Sequence, residues 1–110
     1  MNAIYKIKRN DTWPPLRATL LQVDGIPIDL TNASVEVFIR SLKSSPIITI
    51  RKGVNVVDAL AGRVECWLDA VDTSISGTYK AEFEIVFAGG ERATVPNSDY
   101  FKILIMDDIM

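Results

Sequence analysis

Short runs in which apolar and polar residues alternate fill the chain from end to end. In the clearest run, Val35, Val37 and Ile39 alternate with Glu36 and Arg40. A period of two places successive side chains on opposite faces of a β-strand, and no long segment has the apolar spacing of an amphipathic helix. The runs predict strands at residues 4–8, 16–22, 34–41, 46–51, 54–57, 63–69, 78–87, 92–95 and 100–106.

Turn residues separate these runs at regular intervals. Asp24-Gly25 predicts a tight turn because Gly adopts positive φ at little cost, and Pro27 limits the returning segment to a short or edge strand. Lys52-Gly53 predicts a turn between two short strands, residues 88–91 predict a hairpin, and residues 70–77 suit one irregular or helical turn. A series of about eight or nine short strands predicts an antiparallel sandwich or barrel. We assign residues 1–110 to a single domain.

The alternation also predicts which side chains form the core. Cys66 shares one face of its strand with two aliphatic residues, and Trp67 lies on the opposite, polar face. We expect Cys66 to be a buried, inert thiol, since the chain has no His to activate it. In the first strand Ile4 is expected to pack inward, and Tyr5 and Ile7 are further candidates for packing. The last strand is expected to be buried or paired on both faces, because nearly all of its residues are apolar.

The composition narrows the possible functions. The chain has 12 Lys and Arg residues against 14 Asp and Glu residues, a net charge of −2, no His and one Cys. This charge balance argues against a nucleic-acid binder of the basic-patch class. The absence of His removes the usual general base, and a single Cys allows neither an internal disulfide nor a thiolate metal cluster. We therefore expect no enzymatic activity and no catalytic, cofactor or metal site.

The remaining acidic and glycine motifs indicate turns rather than ligand sites. Asp69 with Asp72 could face a hard cation, but calcium needs about six to eight oxygen ligands, so turn capping is the preferred interpretation. Gly89-Gly90 joins two strands, and no helix follows to complete a phosphate-binding loop. The N-terminal residues lack the apolar stretch of a signal peptide, and no run approaches the roughly 20 residues of a membrane helix. We expect a protein made in the cytoplasm that binds neither membrane nor nucleic acid.

One segment resembles a feature of immunoglobulin-like domains. Residues 72–81 place Gly77 two positions before Tyr79, as in the tyrosine corner, where the Tyr hydroxyl bonds back across the corner before the penultimate strand. Ala81 stands where antibody domains have their second Cys, and no Trp lies among Val35, Val37 and Ile39. The resemblance implies an all-β, immunoglobulin-like antiparallel β-sandwich of about 7–9 strands that lacks the antibody disulfide.

The whole chain is similar to the immunoglobulin-like N-terminal domain of phage tail baseplate proteins of the upper baseplate type. The resemblance rests on the order of RNDTWPPL (9–16), DGIPIDLTNASV (24–35), AGRVE (61–65), residues 72–83 and GERATVPN (90–97) with the closing strand. It implies a structural or adaptor module of a phage or prophage tail or baseplate. The module would be located in the virion, synthesised in the host cytoplasm, and bound to other tail or baseplate proteins or to copies of itself. Family members often continue into further domains, so both a free-standing adaptor and part of a longer protein stay open.

Five residues are candidates for an interface. They are Trp13, Trp67, Leu104, Met106 and Ile109. Trp13 is expected to plug the open end of the sandwich rather than to dock a partner. For Trp67, a binding role and a role in covering neighbouring side chains are both considered. In the last strand Phe101, Ile103 and Ile105 are expected in the core.

The alternative function is that of a carbohydrate-binding or adhesin-type immunoglobulin-like module. A sugar site needs aromatic platforms beside polar groups. This alternative therefore requires Trp13 and Trp67 to lie together on one exposed face.

Overall fold

The computed structural model describes residues 4–42, 47–96 and 101–107, and in these ranges it contains strands and turns but no helix. The all-β prediction is therefore confirmed. The strands are β1 (Ile4–Lys8), β2 (Leu16–Thr19), β3 (Ser34–Ser41), β4 (Thr49–Asp58), β5 (Arg63–Cys66), β6 (Gly77–Val86), β7 (Arg92–Val95) and β8 (Phe101–Met106).

Hydrogen bonds join these strands in the order β1-β8-β6-β3-β4-β5-β2, and β7 pairs with the second half of β6. Strand β8 therefore has a hydrogen-bonded partner on each edge, β1 and β6. The pairing of β1 with β8 is parallel, and the other strand pairs are antiparallel. Parallel pairing is possible here because nearly the whole domain separates the two strands along the chain.

Strand β4 divides the sheet into two halves and belongs to both. The larger half contains β1, β8, β6, β7, β3 and the first part of β4, and the smaller half contains the last part of β4, β5 and β2. Its first six residues, from Thr49, pair with β3, and the remainder pairs with β5 across a register shift near Val57. The predicted turn at Lys52-Gly53 is wrong, because Gly53 lies within the strand, opposite Glu36. Alternating partly buried side chains continue through Gly53 into the second half of β4, so pairing on both sides outweighs the local turn preference. Through β4 the sheet nearly closes in a barrel-like shape.

A single buried cluster fills the space between the two halves. It includes Val37 and Phe83 from β3 and β6, and Leu16 and Cys66 from β2 and β5. Because the inner faces of both halves contribute to this cluster, their outer faces point in opposite directions. Apolar area removed from water in such a cluster is the main stabilising term, at about 25 cal/mol per Å².

The N-terminal strand packs through Ile7, one of the three residues considered from the sequence, and not through Ile4. Ile7 is buried, opposite Ile105 of β8, whereas Ile4 is 50% exposed and lies opposite Lys102. The inward position of Ile4 was therefore a wrong prediction. The pairing with β8 decides which residues of β1 face the core, and this long-range register cannot be read from the run itself.

The turn before β6 has the hydrogen bond expected of a tyrosine corner. The Tyr79 hydroxyl donates to the carbonyl of Ile75 at 2.7 Å, and the side chain is almost fully buried. Nearby, the hydroxyl of buried Thr73 donates to the carbonyl of Asp11 at 2.9 Å. These bonds fasten the turn to the N-terminal segment and to the core.

Two other predicted turns are confirmed. At the first, the amide of Gln22 donates to the Ile26 carbonyl at 2.8 Å, and Gly25 has a φ of 86°. The segment after it forms only an isolated bridge, between Leu21 and Pro27, as expected for a proline in the returning chain. At the second, the amide of Phe87 donates to the Glu91 carbonyl at 2.8 Å and closes the hairpin between β6 and β7.

Replacing Tyr79 by Phe tests the contribution of the corner. The ring stays in the core, but the Ile75 carbonyl loses its donor, so we expect unfolding to become easier by about 1–2 kcal/mol. Urea denaturation followed by tryptophan fluorescence measures this, with the denaturant slope unchanged. An unchanged unfolding midpoint would show that the corner hydrogen bond does not contribute to stability.

Candidate functional site

Trp13 lies on the surface. Its side chain is 71% exposed, so the expectation that it plugs the end of the sandwich is wrong. The segment is anchored instead by the residues that follow: the Pro14 carbonyl accepts the hydroxyl hydrogen of Tyr5, and Pro15 and Leu16 are buried. Since these contacts hold the chain in place, the indole ring is left to project into solvent.

The candidates on the last strand divide between its two faces. Ile103 and Ile105 are buried, as predicted, and Phe101 is partly buried with its ring edge-on to Phe83 at a centroid distance of 5.4 Å. Leu104 is partly buried and Met106 is 39% exposed on the outer face. Ile109 lies outside the described residues.

Trp67 lies on the outer face of the smaller half of the sheet. The side chain is 48% exposed, and its indole Nε1–H donates to Glu65 Oε1 at 2.8 Å. The other carboxylate oxygen of Glu65 accepts a hydrogen bond from Arg17 Nε at 3.2 Å, and Arg17 is the direct cross-strand neighbour of Glu65. We call the surface formed by Trp67, Glu65, Arg17 and Val57 the Trp67 face. Its two hydrogen bonds hold the exposed ring in one orientation.

A shallow depression of about 410 Å³ lies on the same face. Val57, which is 61% exposed, forms part of its wall beside Arg17. The complete lining is Arg17, Ala18, Thr19, Val57, Arg63, Val64 and Glu65. Trp67 is not among the residues that line the depression. The face nevertheless combines an oriented Trp with an Arg, two of the residue types that dominate the energetics of protein interfaces. The sequence predicted the exposure of Trp67, but its link to Arg17 requires the pairing of β2 with β5.

Beneath this face, Cys66 is buried as predicted. Burial raises the pKa of its thiol, and Asp72 adds to the rise, while nearby Lys52 acts in the opposite direction. Only the thiolate is a good nucleophile, so this environment suits a core residue better than a reactive one.

Asp69 and Asp72 cap each other's backbone, which is the role the sequence favoured for them. Asp69 Oδ1 accepts the Asp72 amide at 3.0 Å, and Asp72 Oδ2 accepts the Asp69 amide at 2.9 Å. Lys52 Nζ lies 3.3 Å from Asp69 Oδ2 and also contacts the Asp72 carboxylate. Within the ranges that the structure describes, no group of three or more potential metal ligands comes together.

Lys52 is a positioning residue that the sequence did not reveal, because it was assigned to a turn. Burial would lower the pKa of Lys52, but its hydrogen bonds to Asp72 and Asp69 outweigh that effect and raise it. The ion pairs connect β4 to the segment that directly follows Trp67. They therefore fix where the chain leaves the Trp67 face.

Comparisons with known proteins do not assign the chain to a family. Neither a scan against protein-family models nor a search of curated proteins finds a match to this chain. The part of the chain that the structure describes contains no helix able to cross a membrane.

Acid should weaken the contact between Asp69 and Lys52. The backbone hydrogen bond from Asp72, together with Lys52, lowers the pKa of Asp69 below its ordinary value of 3.8. Because the folded state has the lower pKa, this contribution to stability is present above the ordinary value and is lost as the pH falls through the folded value. Asp69→Asn keeps an oxygen for the Asp72 amide but removes the charge.

We therefore expect Asp69→Asn to be less stable than the wild type at neutral pH, with the difference shrinking as the pH falls below 3.8. Urea denaturation at a series of pH values measures the effect, and Asp11→Asn provides an exposed control. A difference that stays constant over the whole pH range would contradict a charge-dependent role for Asp69.

Proposed function

We propose that the protein is a non-enzymatic structural or adaptor module that acts through protein–protein contacts, as a component of a phage or prophage tail or baseplate. The observation that carries this proposal is the Trp67 face. Trp67 is exposed to solvent, yet a hydrogen bond to Glu65 holds its ring, so the side chain is preorganised for binding. Its ring loses little conformational freedom when a partner covers it.

We also propose that the fold is an immunoglobulin-like sandwich. The Tyr79 hydrogen bond supports this, as does the pairing of β6 with both β3 and β8 in one half and of β2 with β5 in the other. Immunoglobulin-like domains have the same two groups of neighbouring strands. Strand β4 departs from the pattern, since it pairs with both groups.

The phage context rests on the order of the turn-defining segments along residues 9–105. Three of them have a clear structural role here: Pro14 and Pro15 anchor the entry to β2, Gly25 forms its turn, and Tyr79 closes the corner. A virion component needs a stable scaffold that presents side chains on its faces, and it needs no catalytic centre. The chain's lack of His agrees with that requirement.

Replacing Trp67 by Ala tests the proposed interface. Loss of a central aromatic anchor costs about 2 kcal/mol or more, which corresponds to roughly 30-fold weaker binding. We expect the variant to fold like the wild type but to fail in complementing the assembly of particles by a phage or prophage that lacks the gene. Electron microscopy counts the particles, and light scattering coupled to size exclusion reports self-association.

Val71→Ala is the matched control, since Val71 is 80% exposed and belongs to the turn after Ala70 rather than to the Trp67 face. Its particle yield should equal that of the wild type. Normal assembly by Trp67→Ala, together with a purely monomeric wild-type protein at high concentration, would refute the proposed interface.

Carbohydrate binding is the second candidate, and one observation favours it. Trp13 and Trp67 are both exposed, and they lie just beyond the paired ends of β2 and β5, where Leu16 faces Cys66. Glycan-array binding by the wild type that is lost in both Trp13→Ala and Trp67→Ala would support this function over assembly. Binding that does not depend on either ring would exclude a shared aromatic platform.

A further inference from the structure

One edge of β4 has no partner strand over the first residues of the strand. Strand β5 occupies this edge only from Asn55 onward, where Asn55 pairs with Glu65. From Thr49 to Arg51, β3 pairs with the opposite edge of β4. In the part of the chain that the structure describes, no other strand pairs with β4. A sheet edge of this kind can accept an additional strand.

The hydrogen-bond pattern shows which backbone groups point toward the free edge. The amide of Ser41 donates to the Ile48 carbonyl at 2.8 Å, so these residues form a hydrogen-bonded pair. Hydrogen-bonded pairs alternate along an antiparallel ladder, so Ile50 also directs its backbone groups toward β3. The N–H and C=O groups of Thr49 and Arg51 therefore point away from β3, toward the free edge.

A shallow depression lies beside this free edge. Its volume is about 390 Å³, and its lining includes Ile48, Thr49 and Ile50 from the start of β4 and Ile75 from the turn before β6. The Ile75 side chain is 50% exposed, and Ile48 and Ile50 are partly buried. We call this depression the β4 groove. It combines aliphatic side chains with backbone hydrogen-bonding groups along one side.

The charges around the β4 groove favour an uncharged occupant. Within the described residues, Asp72 is the charged member of the lining; its side chain is largely buried, and Lys52 contacts its carboxylate. The side chain of Arg51 is engaged elsewhere, because it donates two hydrogen bonds to Glu36 and lies 5.0 Å from the centre of the Phe38 ring. A segment with uncharged aliphatic side chains therefore matches the groove.

The other free edges of the sheet have features that oppose an added strand. Lys6 and Lys8 alternate along β1, two prolines directly precede β2, and Pro96 directly follows β7. Lysines and prolines at edge strands are common protections against pairing with another chain. Among these edges, the β4 edge is distinguished by the exposed aliphatic side chain of Ile75 beside unpaired backbone groups.

The proposed immunoglobulin-like fold leaves a strand position open at the same place. Variable-type domains add strands C′ and C″ to the sheet that contains strands C, F and G. Here β3, β6 and β8 correspond to C, F and G, and the first part of β4 corresponds to C′. The chain then continues from β4 to β5, so no strand of the described residues takes the place of C″.

We propose that the β4 groove binds an extended aliphatic segment of a partner protein as an added β-strand. The backbone groups of Thr49 and Arg51 pair with the main chain of the segment, and its aliphatic side chains cover Ile50 and Ile75. Outward backbone groups recur at every second residue, roughly 7 Å apart, and an extended polypeptide has donors and acceptors at the same spacing. In strand addition the main-chain hydrogen bonds give affinity and the side-chain contacts give specificity.

This inference rests on the proposed function in taking the partner to be a protein and the fold to be immunoglobulin-like. It does not involve the Trp67 face, so the two binding sites can be tested separately.

Thr49→Pro tests the free edge without removing a hydrogen bond to β3. Because the Thr49 N–H points away from β3, proline removes an outward donor and is tolerated there. The probe is a synthetic peptide of about seven alternating Thr and Ile residues, with a Lys at each end for solubility. Chemical shifts of the isotope-labelled full-length protein are followed during titration. We expect shifts concentrated on residues 48–51 and Ile75, and about tenfold weaker binding by the variant.

Ile75→Ser tests the aliphatic wall and leaves the β4 backbone unchanged, so a folding defect in the proline variant would not prevent the test. It should also weaken binding of the peptide. Val71→Ala changes only the rim of the groove, where the side chain is 80% exposed, and should alter the affinity by less than about twofold.

Thr94→Pro is the matched control, since the Thr94 N–H points away from β6 at the free edge of β7. This variant and Trp67→Ala should both bind the peptide like the wild type. Equal loss of affinity in Thr94→Pro and Thr49→Pro would overturn the proposal, as would absence of binding to the wild type. Self-association of the wild type that Thr49→Pro abolishes would also overturn it, because the edge would then bind a second copy of the chain.

Discussion

The pairing of β4 with strands on both of its edges is the constraint on which the rest of the molecule depends. Its first part completes the half of the sheet that contains β3, and its last part completes the half that contains β5. A single strand therefore sets the position of one half relative to the other. The shared core and the opposite orientation of the two outer faces both follow from this arrangement.

The ion pairs at Lys52 strengthen that arrangement where β4 changes partners. Lys52 reaches from the strand to Asp69 and Asp72 in the turn that follows Trp67. The same turn leads to the corner closed by the Tyr79 hydroxyl. The position of the exposed indole is thus coupled to stabilising contacts within the domain, and loss of the Asp69 or Asp72 carboxylate should affect both stability and binding.

The strand pattern was accessible from the sequence because alternation and turn residues are local signals. The burial of Cys66 and the exposure of Trp67 could be anticipated in this way. The Tyr79 hydrogen bond was implied by the resemblance to the tyrosine corner. Properties that depend on pairing between strands far apart in the sequence could not be anticipated. Gly53 is a turn signal that pairing overrides, and Ile4 faces outward because β8 fixes the register of β1.

The same limit applies to the surfaces. Trp13 was expected inside, but the contacts that anchor its segment involve Tyr5, a residue in another strand. The link from Trp67 through Glu65 to Arg17 is invisible in the sequence, because Arg17 is far from Glu65 along the chain and meets it only through the register of β2 and β5. Interaction surfaces of β-proteins are assembled across strands, so they become visible only when the register is known.

Cross-strand nuclear Overhauser contacts in the isotope-labelled protein test the role of β4 most directly. We expect contacts between Ile50 and Ile39 and between Val56 and Val64, because β4 passes from β3 to β5 without a turn. Contacts that instead join residues 48–51 to residues 54–57 would reveal a hairpin at Lys52-Gly53. That result would contradict the continuous strand and, with it, the opposite orientation of the two outer faces.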